Sequence, residues 1–326
     1  MRIEVWADVV CPWMYIGKRR LERALAGRGG EPVEVVWRPY RIDPTAPAEA
    51  TPRAGLLTDP DAREALRECA PGLTPEENRD RVADEARAEG LGPRWGAVWR
   101  ASSHDAHRLI ALALDAGGAR LQDAVVEAVL RAHFVEGLDI SDREVLGRIS
   151  DSAGFPSGGA LLDDGAGEEQ VRELLLRGKA MGVRTSPTYV AAGLALAGAQ
   201  PAESIAALLR DAEAAGEPRR LPEEVERLRH AEALLDVRDP LGALTLLRPL
   251  LADHGDDPNV RLLAARAYYA SAQLGRARGI LEQLVADAPD DAYARLLLGR
   301  TLERQGLPAE AAPHLRMAAA MVPDYG

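Results

Sequence analysis

The sequence predicts an α/β domain with a large helical insert, followed by an all-α repeat domain. Three observations predict this. Short runs of β-formers stand near the start and again near residue 190, with a long stretch of helical periodicity between them. Strand signals cease from about residue 223. From there the chain repeats itself with a period of about 34 residues. The expected boundaries are 1–215 for the first domain, with the insert at about 60–180, then a linker at 216–222 and repeats over 223–326.

Residues 2–10 alternate and are rich in β-formers, which predicts a strand. After Cys11-Pro12, the run Tyr15 to Leu25 has helical spacing, and Gly27 and Gly29-Gly30 stop it. Val33 to Arg38 reads as a second strand. Pro39, Pro44, Pro47 and Pro52 make the next stretch irregular. Helix is expected through most of 61–180, broken at Pro71-Gly72, Gly90 to Pro93, Gly117-Gly118, Gly137 and Pro156. Thr188 to Ala192 and Leu194 to Ala197 read as two strands turning at Gly193, and Ala202 to Ala215 as an amphipathic helix.

The repeats are legible in columns. Ala243, Ala277 and Ala311 form one, Leu247, Leu281 and Leu315 a second, and Ala231, Ala265 and Gly299 a third. Small residues let paired helices approach, leucines fill the seam, and Pro289 and Pro323 end the second helix of a pair. This is the tetratricopeptide pattern in about three units. The linker reads from the segment Glu217-Pro218-Arg219-Arg220-Leu221-Pro222.

Hydrophobic residues make up 47% of the 326, enough for packed cores. The net charge of −11, without any basic stripe, argues against nucleic acid as a partner. No apolar run reaches the ~20 residues of a membrane span. The first residues read as a strand and lack an apolar leader pattern, so a cytoplasmic protein is expected. With two cysteines, Cys11 and Cys69, no structural disulfide or zinc site is expected.

Strand, then Cys11-Pro12-Trp13-Met14, then helix puts the Cys11 sulfur at a helix N-terminus, where unpaired N–H groups and the helix dipole favour a thiolate. From the local sequence, a nucleophile with a depressed pKa and an inert buried cysteine fit equally well. His104 and His107 stand one turn apart, a weak pattern for a metal, and no metal is expected.

Asp8-Val9-Val10-Cys11-Pro12-Trp13-Met14-Tyr15-Ile16-Gly17 resembles the active-site segment of the FrnE-like branch of the DsbA family. Trp37-Arg38-Pro39-Tyr40, Asp105-Ala106-His107-Arg108-Leu109, Glu136 to Asp142, Ser186-Pro187-Thr188-Tyr189-Val190 and Gly198-Ala199-Gln200-Pro201 resemble later segments of that family, in order. The resemblance covers residues 1 to about 215 and implies a thioredoxin-like fold with Pro187 cis and facing Cys11. It also places His107 and Arg108 near the cleft, where they would bring cationic charge to a bound acid or thiol; pairing with surface carboxylates fits them equally well. Arg184, three residues before Pro187, would line the cleft too. The departure from the family is Met14, which stands where a resolving cysteine is usual, and Ser186 replaces a small apolar residue. Cys69 has no motif around it and is read as structural or incidental.

Three functions follow as expectations. The first is a single-thiol oxidoreductase exchanging disulfides with a small thiol or substrate through Cys11. The second, suggested by relatives of 2-hydroxychromene-2-carboxylate isomerase in the same broad family, is a thiol-addition E/Z double-bond isomerase, which needs one sulfur only. The third is a non-catalytic adaptor. No tightly bound cofactor is expected beyond a low-molecular-weight thiol. The repeats are expected to hold a protein partner or a second copy of the chain.

Overall fold

A computed structural model describes residues 1–29, 31–57, 63–64, 67, 70–216 and 221–325. Cys69, and residues 217–220 of the expected linker, lie outside the described residues. The chain divides into two compact units, Met1–Gly178 with Val183–Arg219, and Lys179–Gly182 with Arg220–Gly326.

The first unit is built on a four-stranded sheet ordered β2-β1-β5-β6. Strand β1 (Arg2–Ala7) runs parallel to β2 (Glu34–Pro39), with Val5 opposite Trp37, and antiparallel to β5 (Thr188–Ala191). Strand β6 (Leu194–Ala197) closes the other edge against β5. A parallel pair needs a crossover, and helix α1 (Pro12–Ala26) supplies it. Ile3, Val5, Trp6 and Ala7 are all buried, so both faces of β1 are covered. Trp6 lies against Gly178, where a Cβ would come within 2.7 Å of the indole.

The insert departs from the expected run of helix. Helix α2 (Pro75–Ala88) opens on a reciprocal capping box between Thr74 and Glu77. Before and after it, β3 (Thr51–Pro52) pairs antiparallel with β4 (Trp99–Arg100) as a separate two-stranded sheet. Two residues per strand are too few to show an alternating pattern, and Pro52 is tolerated because each strand is an edge. A 3-10 turn, Arg53–Leu57, follows β3. Helix α3 (His104–Arg131) is broken by a kink at Gly117-Gly118, as the sequence predicts: both glycines leave helical geometry, and Gly118 takes φ +70°. A π-helical turn, Ala132–Glu136, prolongs it. Helices α4 (Arg143–Ser152), α5 (Gly158–Asp163) and α6 (Glu168–Ala180) complete the insert, and α7 (Ala202–Ala215) follows β6 and packs on α1.

The second unit is all-helical among its described residues. Its pairs are α8 (Glu223–Asp236) with α9 (Pro240–Asp253), α10 (Pro258–Ala270) with α11 (Leu274–Asp287), and α12 (Ala292–Arg304) with α13 (Pro308–Met321). Ala231, Ala243, Ala265, Ala277 and Ala311 are buried, as are Leu247 and Leu281. At Gly299 a Cβ would come within 2.6 Å of Leu315, so the third column needs glycine where its helices meet closest.

Candidate functional site around Cys11

Pro12 opens α1 at a position where its missing N–H costs nothing. Cys11 is therefore the N-cap, held by its own N–H donating to the Asp8 carbonyl at 2.9 Å. The Ser186–Pro187 peptide bond is cis. The Cys11 thiol donates to the Ser186 carbonyl at 3.5 Å, and the Ser186 hydroxyl accepts from the Asp8 N–H at 2.9 Å. Strand end, helix start and proline loop thus meet at one sulfur. Gly17 lets them meet. A Cβ there would lie 2.5 Å from the Tyr189 hydroxyl and 2.9 Å from Pro187 Cγ. Gly17→Ala is expected to lower stability by about 1–3 kcal/mol, the range for overpacking, measured by chemical denaturation; an unchanged midpoint would show that the Pro187 loop yields freely.

Cys11 is only 5% exposed. Burial is the largest influence on its thiol and pushes it up to about 11; the Asp8 carboxylate adds to the rise. The Ser186 side chain and the backbone N–H groups of Met14 and Trp13 pull the other way and do not win. This corrects the expectation of a depressed thiol. The helix-terminus effect is present, but loss of water around the sulfur outweighs it.

Asp8 is fully buried, and its carboxylate accepts from the Ile42 N–H at 2.6 Å and the Val10 N–H at 3.4 Å. His107 Nε2 lies 3.3 Å from the same carboxylate and 3.0 Å from the Tyr40 carbonyl. Both neighbours can only accept, so Nε2 carries hydrogen and His107 reaches Cys11 through Asp8.

The other expected site residues separate. Met14, three residues after Cys11 in the chain, is buried and has no thiol to offer. Trp13 stacks under the Arg81 guanidinium at 5.1 Å. Arg108 is spent on structure, donating to Asp105 and to the Ala166 and Leu162 carbonyls. Arg184 is exposed, and no described contact brings it to Cys11. His104 pairs with Glu168 at 2.7 Å. Among the described residues no group of three or more His, Cys, Asp or Glu is placed to hold a metal ion.

Three site residues escaped the sequence reading. Asp8 stood inside the Cys11 motif without a role. Arg53, at the end of the proline-rich stretch, exerts its charge on both Cys11 and His133. His133 is 1% exposed, with neither ring nitrogen hydrogen-bonded among the described residues. Burial pushes His133 down to about 4, and the Arg53 charge adds to the fall.

Residues 2–210 match the DSBA-like thioredoxin domain, and residues 234–301 match a tetratricopeptide repeat. The crystal structure of a probable DsbA oxidoreductase from Streptomyces coelicolor is similar at 30% identity and a TM-score of 0.56, over 68% of this chain and 94% of that one. A 2-hydroxychromene-2-carboxylate isomerase is similar at 16% identity and a TM-score of 0.43, over 66% and 95% of the two chains. The cytosolic disulfide reductase DsbM from Pseudomonas aeruginosa is similar at 20% and 0.40, over 66% and 96%. No curated protein matches.

Proposed function

The chain belongs to the DSBA-like thioredoxin domain family, and from that premise we propose that it is a thiol-disulfide exchange enzyme working through one sulfur, Cys11. The observation that carries this reading is Cys11 at the start of α1, against the carbonyl that precedes Pro187, with buried Met14 in place of a second thiol.

The steps balance with one protein thiol. Cys11 sulfur attacks a small disulfide, one S–S bond forms as the other breaks, and the proton of Cys11 ends on the departing thiol. A second low-molecular-weight thiol then attacks the Cys11 mixed disulfide, leaves as part of a new disulfide, and returns the proton to Cys11. The chain's part is to hold the sulfur at the N–H groups of Trp13 and Met14, which meet the thiolate as it forms. Burial keeps the resting sulfur protonated and guards it from adventitious oxidation.

Met14 equally favours a second reading, the double-bond isomerase. There the Cys11 thiolate adds to a conjugated double bond, the bond rotates while single, and the thiolate leaves unchanged.

The single-thiol reading suits a reducing compartment such as the cytoplasm. No described helix is long and apolar enough to cross a membrane. The tetratricopeptide unit is assigned to binding a protein partner.

The test is intact-mass measurement after incubation with bis(2-hydroxyethyl) disulfide. One mercaptoethanol is expected on Cys11, removed by added thiol with release of the mixed product. Label confined to Cys69, or none at all, would overturn the exchange reading.

A further inference from the structure

Two groups near the Cys11 site lack a hydrogen-bond or ion-pair partner for their side-chain nitrogens among the described residues: Arg53, whose charge acts on Cys11, and His133, on which the charges of Arg53 and Asp8 act. Arg53 donates its N–H to the Val98 carbonyl at 2.8 Å, while its half-buried guanidinium meets no carboxylate among the described residues. His133 is buried with both ring nitrogens unbonded. The segment 96–99 clamps the two together. Gly96 N–H donates to the Phe134 carbonyl at 2.9 Å, Trp99 Nε1 donates to the Gly137 carbonyl at 3.0 Å, and Val98 takes the Arg53 N–H. The same turn is joined to α1 by Tyr15, one turn past Cys11, whose ring meets Trp95 at 6.0 Å and Phe134 at 6.4 Å. Burying an unneutralised guanidinium and an unbonded imidazole costs free energy that no contact among the described residues recovers. An anion with acceptor oxygens would satisfy both.

We propose that Arg53 and His133 form the anion-binding side of the Cys11 site, so that the molecule Cys11 attacks is a small organic acid with its carboxylate next to the electrophilic atom. This rests on Cys11 being the nucleophile. The guanidinium takes the carboxylate, and neutral His133 donates one N–H to it. Asp8 opposes an incoming anion, but its carboxylate is already engaged by Ile42, Val10 and His107, while the Arg53 charge is unspent. The preference is therefore for small acids that can follow the guanidinium into a nearly closed site.

Iodoacetate and iodoacetamide test this, since they have nearly the same size and differ in charge. In each case Cys11 sulfur bonds to carbon, iodide leaves, and the proton goes to buffer. Peptide mass spectrometry reads labelling of Cys11 in the full chain, and the iodoacetate-to-iodoacetamide rate ratio is compared with that of 2-mercaptoethanol. A ratio raised on the order of tenfold is expected. Arg53→Met returns it to the free-thiol value or below, Arg53→Lys keeps most of it, and His133→Phe lowers it in part. The iodoacetamide rate shows that each variant retains the site. A native ratio at or below that of the free thiol, or one unmoved by Arg53→Met, overturns the anion site while leaving Cys11 as nucleophile. No labelling by either reagent overturns the nucleophile itself, and the proposal with it.

Discussion

Cys11→Ser is expected to abolish turnover, and Met14→Cys to create dithiol activity the native protein lacks. A serine hydroxyl is neither ionised near neutrality nor a leaving group from a mixed disulfide, so a loss of at least ~10³-fold is expected. Met14 stands three residues on in the first turn of α1, its N–H donating to the Cys11 carbonyl at 3.0 Å. A thiol there is within reach of the Cys11 sulfur, and a thioether cannot close the bond. Because Met14 is buried, the exchange to cysteine also removes volume and costs roughly 1–3 kcal/mol of stability. On a model disulfide with a dithiol reductant, Met14→Cys should turn over without the second small thiol. If the native chemistry is isomerisation, the same variant slows it under oxidising conditions, and reductant restores the rate. Activity surviving Cys11→Ser would sink the nucleophile assignment. Cys69→Ser as damaging as Cys11→Ser, with the fold intact, would make Cys69 the resolving thiol.

Asp8→Asn is expected to activate Cys11. The thiol is raised to about 11 first by burial and then by the Asp8 carboxylate. Removing a nearby like charge lowers such a group by roughly 1–2 pKa units. Thiolate fraction climbs tenfold per pH unit below the pKa, so alkylation of the native protein should rise steadily from neutrality towards pH 11. In Asp8→Asn the whole profile moves to lower pH, and the rate near neutrality grows about 10- to 100-fold. Asparagine keeps an acceptor oxygen for the Ile42 N–H. Stability follows with a definite sign. The folded pKa lies above the reference value of 9.0, so the stability from burying the neutral thiol is complete below pH 9 and is lost as pH rises through about 11. A native profile that levels off near pH 8.5 would contradict both statements.

Local signals in the sequence carried the sheet, α1 and the repeat columns, because each is a short-range pattern of period two, period 3.6 or fixed spacing, whereas the pairing of Cys11 with Pro187 came from the family resemblance. Features built by distant contacts did not show. The β3–β4 pair is two residues deep, and Arg53 and His133 are 80 positions apart in sequence, joined through a loop at 96–99. His107 and Arg108 are neighbours in one motif, yet the helix turns one towards Asp8 and the other towards the carbonyls of Leu162 and Ala166. The thiol pKa was misread because a helix N-terminus is visible in sequence, whereas the depth of burial over it is not.

The kink at Gly117-Gly118 bears on how the open edge of the sheet is covered. Strand β2 is an outer strand of its sheet, and an outer strand offers its free peptide groups to any other chain that comes alongside. Beyond the bend, Gln122 is fully buried; its carboxamide accepts from the Trp37 N–H at 2.9 Å and donates to the Trp37 carbonyl at 2.9 Å. One side chain thus imitates the peptide of a neighbouring strand and occupies the bonding edge at its middle. A straight helix would carry residue 122 along another line, and the stretch around Trp37 would be left as a template for chain-to-chain stacking in crowded solution. The two glycines that break the helix thus turn the chain so that Gln122 covers this edge.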